Sequence, residues 1–206
     1  MTSKDYKLQG KAMLSGNWGT AIVVMLVTSL ILGLGNSFGP VVASQEVNGI
    51  EVNSRLNLLQ LVIGGAMSVG NAAVYLSFLR EGKSPFTRLF DGFSQCFVAS
   101  VIASLIVGIA VGVGLALLII PGIILSLMFS QTFYILRDHP DMDGLSAVKA
   151  SMDMMKGHKM ELFKLELSFI PWFIACVLVL PLFYVIPYYT ATITAYYENL
   201  KQESGF

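Results

Sequence analysis

Charge is what this sequence has least of. Its 206 residues carry 13 basic and 13 acidic side chains, 13% in all, where a soluble domain has roughly a quarter. The chain is also 55% hydrophobic, with a mean hydropathy of +0.70, so it has too few polar groups to cover a water-facing surface. Cysteine and histidine are scarce as well, with two of each. Two cysteines, Cys96 and Cys176, exclude a disulfide framework, and two histidines, His139 and His158, leave little to ligate a metal. The stretch "RDHPDMDG" at 137–144 sets Asp138, Asp141 and Asp143 around His139. Pro140 and Gly144 make it a turn, however, and it lacks the ligand spacing of an EF-hand. Net charge is zero and there is no phosphate loop, nucleophile elbow or zincin pair. The sequence therefore gives no reason to expect nucleic acid as a partner, and no catalytic, cofactor-binding or metal residue.

What it has in abundance is uninterrupted apolar sequence. No Asp, Glu, Lys or Arg falls within 12–45, 56–79, 92–136 or 167–197, and apolar runs of about 18 residues or more mark transmembrane helices. At about 1.5 Å per residue, the third run is roughly twice what one crossing of about 30 Å needs. It has to turn back. Ile120-Pro121-Gly122 is the expected hairpin, because Pro121 disfavours a helical Ile120 and Gly122 tolerates turn dihedrals; a proline kink in one very long helix is the alternative. Pro181 and Pro187 bracket "LFYVI" in the fourth run, and the second turn is expected at Pro187. The predicted fold is all-α: one integral membrane domain over 1–206, with six crossings at about 18–35, 57–79, 97–120, 122–136, 162–182 and 187–200.

The basic residues orient these crossings. Twelve of the thirteen fall before the first, between the second and third, between the fourth and fifth, or after the sixth; Arg55 alone falls on the other side. The positive-inside rule then puts both termini in the cytoplasm. On this reading Trp18, Tyr134, Tyr196 and Tyr197 stand at inner boundaries, and Tyr184, Tyr188 and Tyr189 at an outer turn, as belt aromatics. The apolar run at the start is too long for the core of a signal peptide, so the first crossing is expected to be retained.

Two cytoplasmic stretches read as interfacial helices. Over 145–156, Leu145, Val148, Met152 and Met155 recur at helical spacing, with Gly157 placed to cap the end. Over 3–14, Lys4, Lys7 and Lys11 form a basic face that anionic lipid would attract. "MLSGNWGTAI" at 13–22 and "MMKGHKMELF" at 154–163 both join such a piece to a crossing through a glycine, a hint of repeated modules.

No ionisable residue lies deep in a crossing, which argues against a coupled pump. Asn71 and the group Ser130, Gln131 and Thr132 are the polar residues best placed to line a cavity between helices, although tying helices together is the commoner role. Ala66-x-x-x-Gly70 and Gly108-x-x-x-Gly112 would let helix backbones approach closely, within one bundle or at a homodimer seam.

"LSGNWGTAI", "IIPGIILSLMFSQTFYILRDHPDMDGLSAVKASMDMMKGHKMELFKLELSFIPW" and "PYYTATITAYYENL" together resemble the DUF975 family of bacterial integral membrane proteins. Its most distinctive parts are Ile120-Pro121-Gly122, "SMDMMKGHK" at 151–159 and "LSFIPW" at 167–172; Pro171 stands where glycine is usual. The resemblance implies a bacterial plasma membrane and six crossings, and it implies no activity. The function expected is that of a non-catalytic membrane protein acting through its lipid environment, a membrane-protein partner or a second copy, in envelope homeostasis or tolerance of membrane-active agents. A small permease or lipid-translocating protein is the alternative, and an enzyme built on the Asp138–Asp143 turn is the least supported.

Overall fold

The computed structural model describes residues 1–36, 41–47, 50–55, 58–176 and 181–206. Among the described residues the regular elements are helical apart from one antiparallel ribbon. These elements are α1 (Ser3–Leu14), α2 (Trp18–Asn36), β1 (Val41–Val47), β2 (Ile50–Arg55), α3 (Leu58–Glu81), a 3-10 turn (Phe86–Phe90), α4 (Asp91–Ser94), α5 (Phe97–Leu117), α6 (Ile119–Phe129), α7 (Thr132–Asp138), α8 (Gly144–Met154), α9 (Lys159–Leu167), α10 (Ile170–Ala175) and α11 (Leu182–Ser204). Among the described residues three helices are long and apolar enough to cross a membrane, Val62–Glu81, Phe97–Leu117 and Ile119–Asp138, and α1 with α2 forms a fourth, bent candidate. Six were expected. Residue 57, where the second predicted crossing begins, and residues 177–180, within the fifth, lie outside the described residues.

The ribbon was not foreseen. It pairs Val41 with Arg55 and Val47 with Ile50. Two β-branched segments separated by Asn48-Gly49 carry the sequence signal of a tight hairpin, which the search for apolar runs passes over.

The hairpin in the third apolar run is present, but its turn falls at Leu118, two positions before Ile120 and three before Pro121. α5 ends at Leu117, Leu118 alone is extended (φ −157°, ψ 142°), and α6 begins at Ile119. Pro121 therefore sits in the first turn of α6, where a missing N–H leaves no hydrogen bond broken. Gly122 serves contact rather than turning: a Cβ there would strike the Leu115 side chain, and one on Gly114 would lie 3.0 Å from the Gly122 Cα. Pro187 is likewise not a turn. It lies buried inside α11, which starts five residues earlier, after Pro181.

The α8 helix also presents a different face from the one its apolar residues suggest. Gly144, Ala147, Val148, Ser151 and Met154 are buried, and Met155 beyond the helix end is 0% exposed, whereas Leu145 is 46% exposed and Met152 only partly covered. Small residues face inward because α8 lies tight on α5, where a Cβ on Gly144 would meet the Ala99 carbonyl. Gly157 does make the turn after α8, with φ of +85°, and Gly16 between α1 and α2 has the same φ. The two sequence modules thus share a left-handed glycine at the same position, a conformation only glycine adopts cheaply.

Close backbone approach shapes α3 as well. A Cβ on Gly70 would collide with the Leu89 carbonyl, and one on Gly92 with that of Ala66, so the 86–92 segment is seated in a notch along α3. Gly108 and Gly112, by contrast, face outward.

Candidate functional site

Polar side chains converge where α3, α7 and α11 end. The Arg80 guanidinium donates to both carboxylate oxygens of Asp138, at 2.7 and 2.8 Å, and to Glu198 Oε2 at 2.7 and 3.1 Å. Lys201 Nζ donates to Asp138 Oδ2 at 2.6 Å and the Tyr197 hydroxyl donates to the same oxygen at 3.1 Å. The Asp138 side chain is 7% exposed and accepts four hydrogen bonds, one at Oδ1 and three at Oδ2. Such a carboxylate ties α3, α7 and α11 together. Behind it the Tyr134 and Tyr197 rings stack at 5.0 Å, and the Tyr134 hydroxyl lies 3.2 Å from Thr194 Oγ1.

A cleft of about 240 Å³ opens beside this cluster, lined by Ser77, Arg80, Glu81, Arg88, Arg137 and Asp138. Its arginines are paired. Arg88 donates to Glu81 at 2.6 Å and to Ser77, and Glu81 raises its guanidinium further above the usual range. Arg137 donates to Gln95 at 2.9 Å and stands 3.4 Å from Asp91. Cys96, nearby, is buried, and burial pushes its thiol up, away from the reactive thiolate. Among the described residues no group of three or more His, Cys, Asp or Glu could hold a metal ion.

A second polar node repairs the break between α6 and α7. Ser151 of α8 donates to the Met128 carbonyl at 2.8 Å and accepts from the Gln131 N–H at 3.2 Å, serving two backbone groups that an unbroken helix would pair internally. Gln131 and Thr132 are wholly buried, and Gln131 Oε1 and Thr132 Oγ1 have no partner among the described residues. Gln131 Nε2 donates to Ser130 Oγ at 2.8 Å. Asn71, half-buried on α3, makes no hydrogen bond to this group among the described residues. The structure thus joins Ser130 to Gln131 and Gln131 to Ser151, and leaves the Thr132 hydroxyl and Asn71 outside that chain of bonds among the described residues.

The α1 helix completes the layer by docking on α11. A Cβ on Gly10 would lie 2.9 Å from the Thr192 backbone nitrogen, the Tyr6 and Tyr196 rings meet edge-on at 5.2 Å, and the Tyr6 hydroxyl donates to Glu161 at 3.1 Å. Lys7 donates to the Ser168 carbonyl at 2.9 Å and lies 4.2 Å over the Phe169 ring. At the far end Trp18 stacks on Tyr184 at 4.9 Å, although the belt reading put them on opposite faces of the membrane. Two rings in contact share one level. The sequence marks Arg80 and Lys201 only as guides to orientation and Asp138 only as part of the 137–144 turn, because partners 58 and 63 positions apart leave no local pattern.

Comparison with curated proteins and with solved structures finds no match. A family model does match over residues 109–204, from the middle of α5 to the end of α11, a stretch that holds the hairpin, the Ser151 node, Asp138, Glu198 and Lys201; over that stretch the chain is similar to the DUF975 family, described as a protein of unknown function.

Proposed function

We propose that this is a non-catalytic, multi-pass protein of a bacterial plasma membrane that acts through the surrounding lipid or a membrane partner, in envelope homeostasis or tolerance of membrane-active agents. The observation that carries the reading is the outer surface of the α5–α6 hairpin. Ile109, Leu117, Leu118, Ile119 and Ile120 are 63 to 74% exposed with no charged residue among them. Such a surface is stable only in hydrocarbon, since each large aliphatic left in water forfeits roughly 1.5–3 kcal/mol.

Four passes then suffice: α2, α3, α5 and the α6–α7 pair. The start of α2, the end of α3 and the end of α7 share one face in an up-and-down order. α11 touches all three, through Tyr184 on Trp18, Glu198 on Arg80 and Lys201 on Asp138. A crossing helix would carry its two ends to opposite faces, so α11 lies along one boundary with α1 docked on it. This arrangement still leaves twelve basic residues on the cytoplasmic side, with both termini. A membrane-impermeant maleimide tests it. Phe183→Cys in a cysteine-free background should be labelled from the same face as Ala12→Cys, and labelling from the opposite face would restore a crossing α11.

The role itself is tested by mass spectrometry of the protein purified gently from its membrane. A lipid or polypeptide in stoichiometric amount supports it; a bare protein that catalyses turnover of a membrane component overturns it. A second reading, a small permease, draws on the unpartnered oxygens of Gln131 and Thr132, which a polar path between helices would satisfy. Solute uptake into vesicles abolished by Gln131→Leu would put it first.

A further inference from the structure

Residues 86–97, which link the second candidate crossing to the third, are the wrong way round for water. Phe86, Phe90, Phe93 and Phe97 are 37 to 40% exposed, and their rings follow one another at 5.8, 6.4 and 6.0 Å in a single ridge. The charged residues turn the other way, toward the protein, while Thr87, Ser94 and Gln95 stay exposed beside the rings. Arg88 reaches back to Ser77 and Glu81, Asp91 pairs with Arg137, and Gln95 accepts from Arg137. Leu89 is fully buried, and the Gly70 and Gly92 contacts clamp the backbone to α3, so the ridge cannot fold inward to hide.

We infer that this ridge is an in-plane anchor, immersed in the interfacial zone of the cytoplasmic leaflet with lipid as its partner. Continuity argues for lipid. Phe97 is also the first residue of α5, and the exposed face runs on through Val98, at 69%, and Ile102, at 41%, into the outer surface of that crossing. An apolar surface therefore passes from ridge to span through Phe93, Phe97 and Val98, with Ser94 and Gln95 exposed beside it. The depth is shallow, because the guanidiniums of Arg88 and Arg137 hold their carboxylates just behind the rings; aromatic side chains with cations beside them are the usual furniture of the membrane boundary. The inference rests on the proposed membrane residence of α5.

Tryptophan placed on the ridge reads both claims separately. In a Trp18→Phe, Trp172→Phe background, Phe90→Trp and Ile109→Trp are reconstituted into phosphatidylcholine vesicles brominated either near the carbonyl end or near the methyl end of the acyl chains. Phe90→Trp should be quenched severalfold more by the shallow bromines, and Ile109→Trp by the deep ones. Ile109→Trp quenched while Phe90→Trp is not would overturn the anchor and leave the membrane reading standing. Neither quenched would overturn both. A Phe90→Trp shielded from bromolipid and from aqueous acrylamide alike would show a protein covering the ridge, which also overturns it. Phe93→Trp, with circular dichroism to confirm folding, repeats the measurement should Phe90→Trp fail to fold.

Discussion

The α5–α6 hairpin and the layer formed by α1, α8 and α11 are built on opposite terms. At the hairpin tip nearly every side chain faces out, and the helices hold together through Gly114, Gly122 and Leu115 at close range. In the layer nearly every α11 side chain from Ala191 to Tyr197 faces in, and the contacts are directional: Asp138 with its four donors, Ser151 across a helix break, Tyr6 against Tyr196. Dispersion is indifferent to which aliphatic supplies it, whereas a buried polar group left without its partner keeps its full desolvation cost. The layer should therefore be fragile to small chemical changes that the hairpin tolerates, and the hairpin fragile only to changes of volume at its seam.

The largest effect is expected from Asp138→Ala, which takes Lys201's carboxylate away and leaves Arg80 with Glu198 alone among the described residues. Loss of a buried partner costs about 3–5 kcal/mol, and the low end applies because Arg80 is 37% exposed. Thermal unfolding in detergent should show a fall of many degrees, and a fall no larger than that of a surface variant would remove Asp138 from its place in the comparison. Gly70→Ala comes next. Its Cβ meets the Leu89 backbone rather than a movable side chain, so roughly 1–3 kcal/mol of overpacking is expected, together with faster exchange of the 86–94 amides in hydrogen–deuterium measurements.

Ser151→Ala sharpens the contrast within one helix. It removes one hydroxyl and leaves the Met128 carbonyl and the Gln131 N–H unserved, for about 1–3 kcal/mol. Its neighbour Lys149→Ala, on the exposed side of α8, should change stability by less than about 0.5 kcal/mol. The smallest effect is reserved for the hairpin surface. Ile109→Leu keeps an apolar side chain facing outward and should stay within about 0.5 kcal/mol; a loss as large as that of Ser151→Ala would show that a specific partner, rather than fluid lipid, covers the hairpin.

Much of this was legible beforehand. Charge scarcity and run length mark α3, α5 and α6–α7 as candidate crossings and demand a reversal near Pro121, because the cost of exposing apolar surface and the rise of a helix are both local properties. Gly157 could be read as a helix end for the same reason, left-handed dihedrals being a cost that one residue type escapes. What failed was finer. The turn moved to Leu118 because Pro121 fits a first helical turn as well as a loop, and Pro187 stayed inside α11 because a packed helix can absorb a missing donor.

By itself, then, the sequence determined the scarcity of charge, the segments long and apolar enough to cross a membrane and the glycines that break the chain, since each follows from composition within a few helical turns. Only the tertiary structure decided that Asp138 is gripped by Arg80 and Lys201, that the inward face of α8 centres on Ser151 rather than on its larger apolar residues, and that Trp18 and Tyr184 share a level. Those outcomes depend on which distant backbone groups and charges need partners once the helices have packed, and residues tens of positions apart carry no sign of that need until the fold brings them together.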